Sequence, residues 1–343
     1  MEHEVFMQRC LELALKGLGF ASPNPLVGSV VVHQNKIIGE GWHKKAGEAH
    51  AEVNAIENVK DKSLLKESSI YVNLEPCAHF GRTPPCSDLI IKHQLKKVII
   101  GCKDPFSKVN GKGIEKLKNA GIEVVINVIK EEALFLNRRF FTFHNKKRPY
   151  IILKWAQTQD GFIDKKRGAH QKGQNWISGE SAKRLVHLWR SQEDAILVGA
   201  QTAINDNPSL TVRELKGKNP IRLLVDPNNR VAKDWAIFND EAPTIHFHKQ
   251  DPYLKEDLKS FQISGDIIPQ VMAACYQNDI QSIIVEGGAK TLSHFIESNF
   301  WDEARVFNSN KQFGEGLSAP KLPIIATGND SIGDDQLFTY FNL

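Results

Sequence analysis

The segment "EPCAHFGRTPPCSD" (residues 75–88) decides how the first half of the chain folds and what it binds. It holds Cys77 and Cys86, two of the five cysteines among 343 residues, and each follows a proline. The strand-favouring run "SIYVNLE" (69–75) precedes it, and "PPCSDLIIKHQL" (84–95) predicts a helix with its prolines at the first turn. Cys77 therefore follows a strand and Cys86 opens a helix, where the helix dipole favours a thiolate.

Length and composition limit the class of protein. The chain predicts two domains, because single cores stop growing near roughly 250–300 residues. Apolar residues make up 41% and charged residues 24%, as in soluble globular proteins. No apolar run approaches the roughly 18 residues of a membrane span, and the acidic, amphipathic N-terminus is not a secretory signal. We therefore expect a cytoplasmic protein without a membrane partner, whose few cysteines do not form a disulfide scaffold.

The formal net charge is +4, with a mildly basic first half and a slightly acidic second half. A basic first half suits an anionic ligand, although an ordinary solvated surface explains it equally well. Nucleic-acid binders carry denser clusters of Lys and Arg than this chain does, so we expect no nucleic-acid partner. The sequence does not set the oligomeric state, and a homo-oligomer is compatible with it.

Strands and helices alternate through both halves. "LVGSVVV" (26–32) and "KIIGEGW" (36–42) flank Gln34-Asn35 and predict a β-hairpin, while residues 130–143 predict one helix. The alternation indicates a largely parallel sheet covered on both faces, the α/β class. The short basic segment "HNKKRP" (144–149) separates the halves, so we predict domains at 1–146 and 147–343.

The residues around the two cysteines predict a catalytic zinc site. Two thiolates and the imidazole of His50 are ligands that Zn²⁺ prefers, and three protein ligands leave a fourth position for water. Glu52 lies two residues after His50 on a predicted helix, so the two side chains do not share a face. We predict that Glu52 is the catalytic proton shuttle, because zinc lowers the pKa of its bound water toward roughly 7.

The same motifs resemble a known family. H-A-E (50–52) and P-C (76–77) match the zinc-deaminase signature H-x-E…P-C-x-x-C, but eight residues separate Cys77 from Cys86 instead of two. With "ASPNPLVG" (21–28), the pattern resembles the deaminase domain of the bifunctional pyrimidine deaminase/reductase of riboflavin biosynthesis. The resemblance implies a cytidine-deaminase-like α/β/α sandwich that binds Zn²⁺ and deaminates diamino-ribosylamino-pyrimidinone 5′-phosphate. Five nearby polar residues are weaker candidates for contacts with this phosphorylated pyrimidine: Asn24, His43, Lys45, His79 and Arg82.

The second half has no G-x-G-x-x-G after a strand, so a standard Rossmann site is not indicated. The strand–Gly–Gly–helix run "IIVEGGAKTLSHFIES" (283–298) offers a helix N-terminus to a phosphate. Several segments together resemble the reductase domain of the same family: "LKWAQTQDGFI" (153–163), "NWISGE" (175–180), "HLWRSQEDAILVGAQTAINDNPSLTVR" (187–213), "RLLVDP" (222–227) and "VEGGAKTLSHF" (285–295).

This second resemblance implies a dihydrofolate-reductase-like α/β domain that uses NADPH to reduce the ribosyl group to ribityl phosphate. Gln174 stands where the family usually has a serine, and no site residue is predicted beyond about residue 305. The resemblance implies cofactor contacts for Ala156, Trp176, Thr202, Asp206, Gly288, Ala289, Lys290, Thr291, Leu292, Ser293 and His294. It implies substrate contacts for Gln174, Arg190, Leu210, Arg213 and Glu286.

Two other functions stay open at this point. A deaminase acting on RNA or free nucleotides would need stacking aromatic residues and a Lys/Arg groove, and the first half lacks a clear one. A non-catalytic, zinc-stabilised nucleic-acid-binding module would have no use for the Glu52 carboxylate.

Overall fold

The computed structural model describes residues 2–78, 80, 84–105, 110–168, 172–250 and 258–342. The chain forms two compact units, Met1–Lys147 and Arg148–Leu343. None of the described helices is long and apolar enough to cross a membrane.

The first unit is a five-stranded mixed sheet with helices on both faces. The sheet order is β2-β1-β3-β4-β5, antiparallel from β2 to β3 and parallel from β3 to β5. In chain order the elements are α1 (Glu2–Leu15), β1 (Gly28–His33), β2 (Lys36–Trp42), α2 (Ala51–Glu57), a 3₁₀ helix (Lys62–Glu67), β3 (Ser69–Leu74), α3 (Cys86–Lys92), β4 (Lys97–Cys102), α4 (Lys112–Asn119), β5 (Glu123–Ile126), α5 (Lys130–Leu136) and α6 (Arg138–Lys146).

Alternating side chains of the strands build the two layers of core. Val30 and Val32 of β1 face a cluster with α1, whereas Val31 between them faces a cluster with α2, α3 and α4. This alternation follows from the two-residue period of a strand. The predicted α/β/α sandwich is therefore confirmed.

Two local predictions for the first unit had different outcomes. The predicted hairpin is present, and Gln34 and Asn35 both have positive φ angles of 46° and 60°, as a tight two-residue turn requires. The prediction of one helix over 130–143 is wrong, because the helix breaks at Asn137. The buried Asn137 side chain accepts a hydrogen bond from Leu26 N at 2.8 Å and donates to Leu26 O at 2.9 Å. These two hydrogen bonds fix the break between α5 and α6 next to Leu26, just before β1.

The second unit contains a nine-stranded sheet of order β11-β10-β9-β8-β12-β6-β13-β16-β15, and a two-stranded sheet of β14 and β7. In chain order the elements are β6 (Tyr150–Gln157), β7 (Phe162–Lys165), α7 (Glu180–Gln192), β8 (Ala195–Gly199), α8 (Ala200–Asp206), β9 (Ile221–Val225), a 3₁₀ helix (Ala236–Phe238), β10 (Thr244–His248), β11 (Lys259–Gln262), α9 (Ile267–Gln277), β12 (Ser282–Val285), α10 (Ala289–Glu297), β13 (Glu303–Asn308), β14 (Gly316–Ser318), β15 (Gly328–Ile332) and β16 (Asp335–Phe341).

The direction of the strands in the large sheet determines at which edge a ligand can bind. All pairs from β11 to β13 are parallel, and β16 alone runs in the opposite direction, antiparallel to β13 on one side and to β15 on the other. The carboxyl ends of β6, β12, β8 and β9 therefore lie at one edge, where open α/β sheets bind ligands.

Two histidines on β10 are buried with polar atoms that lack partners among the described residues. His246 and His248 are 2% and 3% exposed, and their rings lie 5.4 Å apart. Within the described part of the chain, no hydrogen-bond partner is found for four atoms: both ring nitrogens of His246, Nδ1 of His248 and Oδ1 of the nearby Asp226. Burial lowers the pKa of His246 to about 4, against an opposing effect of Asp226.

We predict that the second unit loses stability as the pH falls from about 6.5 to about 4. The unfolded chain binds a proton at His246 near its ordinary pKa of about 6.5, whereas the folded protein does not bind it until much lower pH. The loss attributable to this histidine is about 2–3 kcal/mol across that window. Urea unfolding of a Trp42→Phe chain, followed by tryptophan fluorescence, measures it, because every other tryptophan lies in the second unit. In His246→Leu the pH dependence should be shallower, and equal slopes in the two proteins would contradict the prediction.

Candidate metal centre and nucleotide cleft

Three side chains of the first unit converge on one point. Nδ1 of His50 and Sγ of Cys77 and Cys86 lie within 4.8 Å of one another. The Nδ1–Sγ distances are 3.2 Å to Cys86 and 3.6 Å to Cys77. His50 is the extended N-cap residue of α2, Cys77 follows β3, and Cys86 is the first residue of α3. The end of one strand and the starts of two helices thus meet at this point.

This donor set fits zinc. Tetrahedral Zn²⁺ with Zn–N near 2.0 Å and Zn–S near 2.3 Å separates such donors by roughly 3.5 Å, close to the two observed distances. A hydrogen bond from Cys86 lowers the pKa of the Cys77 thiol, and burial opposes this effect. The same hydrogen bond raises the pKa of Cys86. A divalent cation would replace the proton of this hydrogen bond, since metal binding releases protons from its ligands.

Glu52 lies beside this site without belonging to the three converging donors. It is 3% exposed and sits in the first turn of α2. Burial raises its pKa to about 6, although the charge of His50 opposes the shift. An interaction with the Cys86 side chain opposes the shift further. The structure therefore places a buried carboxylate next to the ligands.

His43 supports the ring of His50. Its Nδ1 donates to Ala49 O at 3.1 Å, so its Nε2 accepts from the amide of Asn24 at 3.0 Å. The His43 ring meets the edge of the His50 ring at a centroid distance of 5.5 Å. Lys45 is exposed on the turn before α2. The candidates His79 and Arg82 lie outside the described residues.

Sequence reasoning missed Glu75, which is 4% exposed. Its carboxylate accepts hydrogen bonds from the backbone N–H groups of Gly111 and Gly113 at 3.0 Å each, Ile114 at 3.3 Å and Asp104 at 3.4 Å. A Cβ atom on Gly113 would lie 2.0 Å from Pro76 O, so this close approach requires glycine. Glu75 therefore fixes the segment that carries Cys77 against the start of α4. In the sequence, its position directly before Pro76-Cys77 was the feature that could have identified it as a site residue.

The second unit contains a cleft of about 1030 Å³ at the carboxyl edge of its large sheet. Most of the predicted cofactor and substrate residues line it: Ala156, Gln174, Trp176, Arg190, Thr202, Asp206, Leu210, Arg213, Glu286, Gly288, Ala289, Lys290, Thr291 and His294. Leu292 and Ser293 are not among the lining residues. Leu292 is fully buried in the core beneath α10, because successive residues of a helix point in different directions.

Glycines let the start of α10 pack closely against the end of β8. A Cβ on Gly199 would lie 2.6 Å from the Thr291 hydroxyl, and one on Gly287 would lie 2.8 Å from Thr291 Cβ. Gly288 is the N-cap residue of this nine-residue helix. The free N–H groups of the helix start therefore open directly into the cleft, which suits an anionic ligand.

One end of the cleft carries a buried charge cluster. Arg190 donates from Nη2 and Nε to the Glu286 carboxylate at 2.7 and 3.3 Å. Burial raises the pKa of Glu286, but the charges of Arg190 and Lys154 outweigh burial and set it at about 2. Burial also lowers the pKa values of Lys154 and His187. Leu210 nearby has a positive φ of 56°, a strained conformation that is common at functional sites.

A second paired cluster involves Arg167, which donates to Asp164 at 2.5 Å and to Asp206 at 3.2 Å. Burial raises the pKa of Asp206 to about 6, against the opposing charge of Arg167. Sequence reasoning assigned no role to six charged or titratable lining residues, of which Lys154 and His187 stood inside matched segments. The six are Lys154, Asp164, Arg167, Lys183, His187 and Arg230.

Comparisons with known proteins agree with both halves of this description. The family model described as the cytidine and deoxycytidylate deaminase zinc-binding region matches residues 1–102. The model for the RibD C-terminal domain matches residues 149–323. A riboflavin biosynthesis protein RibD from Aquifex aeolicus is 42% identical over 93% of this chain and 90% of its own length. The RibD of Bacillus amyloliquefaciens is 39% identical over 96% of this chain and 90% of its own.

Solved structures show the same two-domain architecture. The diaminohydroxyphosphoribosylaminopyrimidine deaminase/5-amino-6-(5-phosphoribosylamino)uracil reductase of Thermotoga maritima has a TM-score of 0.89 and 37% identity over 98% of each chain. Acinetobacter baumannii RibD has a TM-score of 0.89 and 30% identity, covering 99% of this chain and 98% of its own. The predicted pairing of a cytidine-deaminase-like with a reductase domain is thereby confirmed, and the chain belongs to the RibD family of riboflavin biosynthesis enzymes.

Proposed function

We propose that the first unit hydrolytically deaminates diamino-ribosylamino-pyrimidinone 5′-phosphate and that the second unit reduces the ribosyl group of the product with NADPH. The observation that carries this proposal is the presence in one chain of both a three-ligand His/Cys/Cys site with a buried carboxylate and a cleft at the start of α10. One phosphorylated substrate suits both units, because the cleft also presents Arg190 and Arg213 to an anion.

In the first unit, we assign metal binding to His50, Cys77 and Cys86. When bound there, zinc would activate a water molecule near neutral pH. The buried carboxylate of Glu52 would take a proton from water at this site and deliver it to the departing amino nitrogen. His43 holds the imidazole of His50 in position, since its own two nitrogens are occupied by Ala49 and Asn24.

In the second unit, NADPH would supply hydride to C1′ of the ring-opened ribose, the carbon joined to the amino nitrogen of the pyrimidine, and that nitrogen would take up a proton. The start of α10 offers backbone N–H groups to the cofactor phosphates. Arg190 is paired with Glu286, two residues before the N-cap of α10, and with the nearby charge of Lys154 it would orient the oxygen atoms of the substrate. Arg213 is exposed at the rim, where its Nη1 donates to the Ser209 hydroxyl, and its remaining donors would bind the substrate phosphate.

Specific observations disfavour the two rival functions. A structural zinc module would not bury Glu52 beside the ligands at the cost of desolvating its charge. A deaminase of RNA or free nucleotides would not require the reductase cleft. Cytoplasmic residence and self-association remain predictions from the sequence.

The order of the two reactions tests the proposed function as a whole. Supplied with the phosphorylated diaminopyrimidine, the purified zinc-loaded chain should release ammonia first and oxidise NADPH afterwards. Oxidation of NADPH without prior ammonia release would contradict the proposal.

We predict that Glu52→Gln retains zinc and loses deamination. Glutamine preserves size and hydrogen bonding but cannot take a proton, so ammonia release should fall roughly 10²–10⁴-fold. Reduction of substrate that is already deaminated should stay near the wild-type rate, because the cleft lies in the other unit. Metal analysis, ammonia release and NADPH oxidation measure these three quantities.

Cys86→Ser is the matched control, because it removes a proposed ligand and should lower the zinc content. Loss of zinc in Glu52→Gln would make that residue a ligand. Deamination at the wild-type rate would assign the proton transfer to another group.

We predict that Arg213→Ala raises the KM for the reductase substrate at least about tenfold, as expected for loss of a hydrogen bond to a charged group. Ammonia release should not change. Arg213 is a cleaner test than Arg190, because removing Arg190 would leave Glu286 buried without its ion pair. Lys216→Ala, an exposed residue outside the cleft lining, is the control. Equal damage to both reactions would point to a folding defect and not to substrate binding.

A further inference from the structure

Three exposed cations of the cleft lining make no ion pair with a carboxylate among the described residues: Arg213, Lys290 and Arg230. The lining carboxylates are already matched. Glu286 pairs with Arg190, and Asp164 and Asp206 both pair with Arg167. These three cations are therefore available to anionic ligands.

The three cations lie at different places along the sheet edge. Arg213 is next to the charge cluster, because its backbone N–H donates to His187 Nδ1 at 3.3 Å. Lys290 belongs to the first turn of α10, directly after β12. Arg230 follows β9, which is separated from β6 by β12 and β8. Three strand spacings of about 4.8 Å put the end of β9 about 14 Å from that of β6.

NADPH and the substrate together carry three separate anionic groups. The substrate has one phosphate, and the cofactor has a pyrophosphate and a 2′-phosphate on the adenosine ribose. If hydride transfer takes place at the Lys154–Glu286 end and the pyrophosphate lies at the start of α10, the adenosine reaches the end of β9. With Arg213 beside the charge cluster and Lys290 at the start of α10, this order leaves Arg230 for the 2′-phosphate.

We propose that Arg230 binds the 2′-phosphate of NADPH and thereby sets the preference of the reductase for NADPH over NADH. This inference rests on the proposed reductase function. A guanidinium group is the usual partner of a 2′-phosphate, whereas an acidic residue would bind a free ribose hydroxyl. Asp226, the acidic residue after β9, is 1% exposed and is not among the lining residues.

The structure holds Arg230 in place from two sides. Its Nη1 donates to Gln201 Oε1 at 3.1 Å, and Gln201 donates in turn to Asn205 Oδ1 at 2.8 Å, both on α8. The turn that carries Arg230 is fixed by Asp226, whose Oδ2 accepts from Val231 N at 2.8 Å. A preset side chain binds its anion with less loss of conformational freedom.

The test compares ligands that differ only in the 2′-phosphate. Titration calorimetry with the full chain measures adenosine 2′,5′-bisphosphate against AMP, and steady-state kinetics on the deaminated substrate measures KM for NADPH against NADH. In Arg230→Gln, affinity for the bisphosphate should fall about tenfold or more and the KM for NADPH should rise by a similar factor. Values for AMP and NADH should not change, and Arg230→Lys should restore part of the preference.

Lys321→Gln removes one exposed positive charge outside the cleft lining and should behave as the wild type. An unchanged bisphosphate preference in Arg230→Gln would overturn the assignment, as would an equal loss for AMP and NADH. Failure of the proposed function is distinguishable, because the wild type itself would then bind neither NADPH nor the bisphosphate.

Discussion

Parallel strand pairing is the constraint on which both functional regions depend. Pairing of β3 with β4 aims the segment after β3, with Cys77, at the loop and helix that follow β4. Pairing among β6, β12, β8 and β9 gathers residues that are far apart in sequence at one edge of the second sheet. Because carboxyl ends of parallel strands share an edge, loops there can supply a site while the sheet stays rigid.

The two regions use buried glutamates in opposite ways. Glu52 has its pKa raised by burial, whereas Glu286 has its pKa lowered because Arg190 and Lys154 outweigh the same effect of burial. A carboxyl group with a raised pKa exchanges protons readily near neutral pH, and one with a strongly lowered pKa keeps its charge. Glu52 thus suits proton transfer, while Glu286 suits the fixed positioning of cations.

Sequence reasoning succeeded where a local pattern has a local cause. Gln34-Asn35 predicted the hairpin because only a tight turn joins two such strands at that distance. The two thiols from which we predict a metal site, Cys77 and Cys86, lie together with His50 in the structure. It failed at Asn137, where a contact with the distant Leu26 breaks a helix that the local pattern favours.

Strand β13 escaped prediction because buried polar residues hide its pattern. β13 carries Glu303 and Arg305, which are 3% and 7% exposed and bond to each other at 2.6 Å. The Tyr150 hydroxyl donates to Glu303 at 3.0 Å. Charged residues normally indicate a solvated surface, and only the partners supplied by the fold make their burial possible.

The buried side chain of Arg222 also explains the position of one wall of the cleft. Arg222 on β9 is fully buried, and its Nη1 donates to Ala236 O at 3.0 Å and to Asn239 Oδ1 at 2.7 Å. Nη1 also reaches Ser209 O at 3.4 Å. Ser209 and Ala236 both line the cleft. Since a buried guanidinium must keep its acceptors or bear the cost of desolvation, Arg222 holds two chain segments against the sheet and so fixes the wall to which the nucleotide would bind.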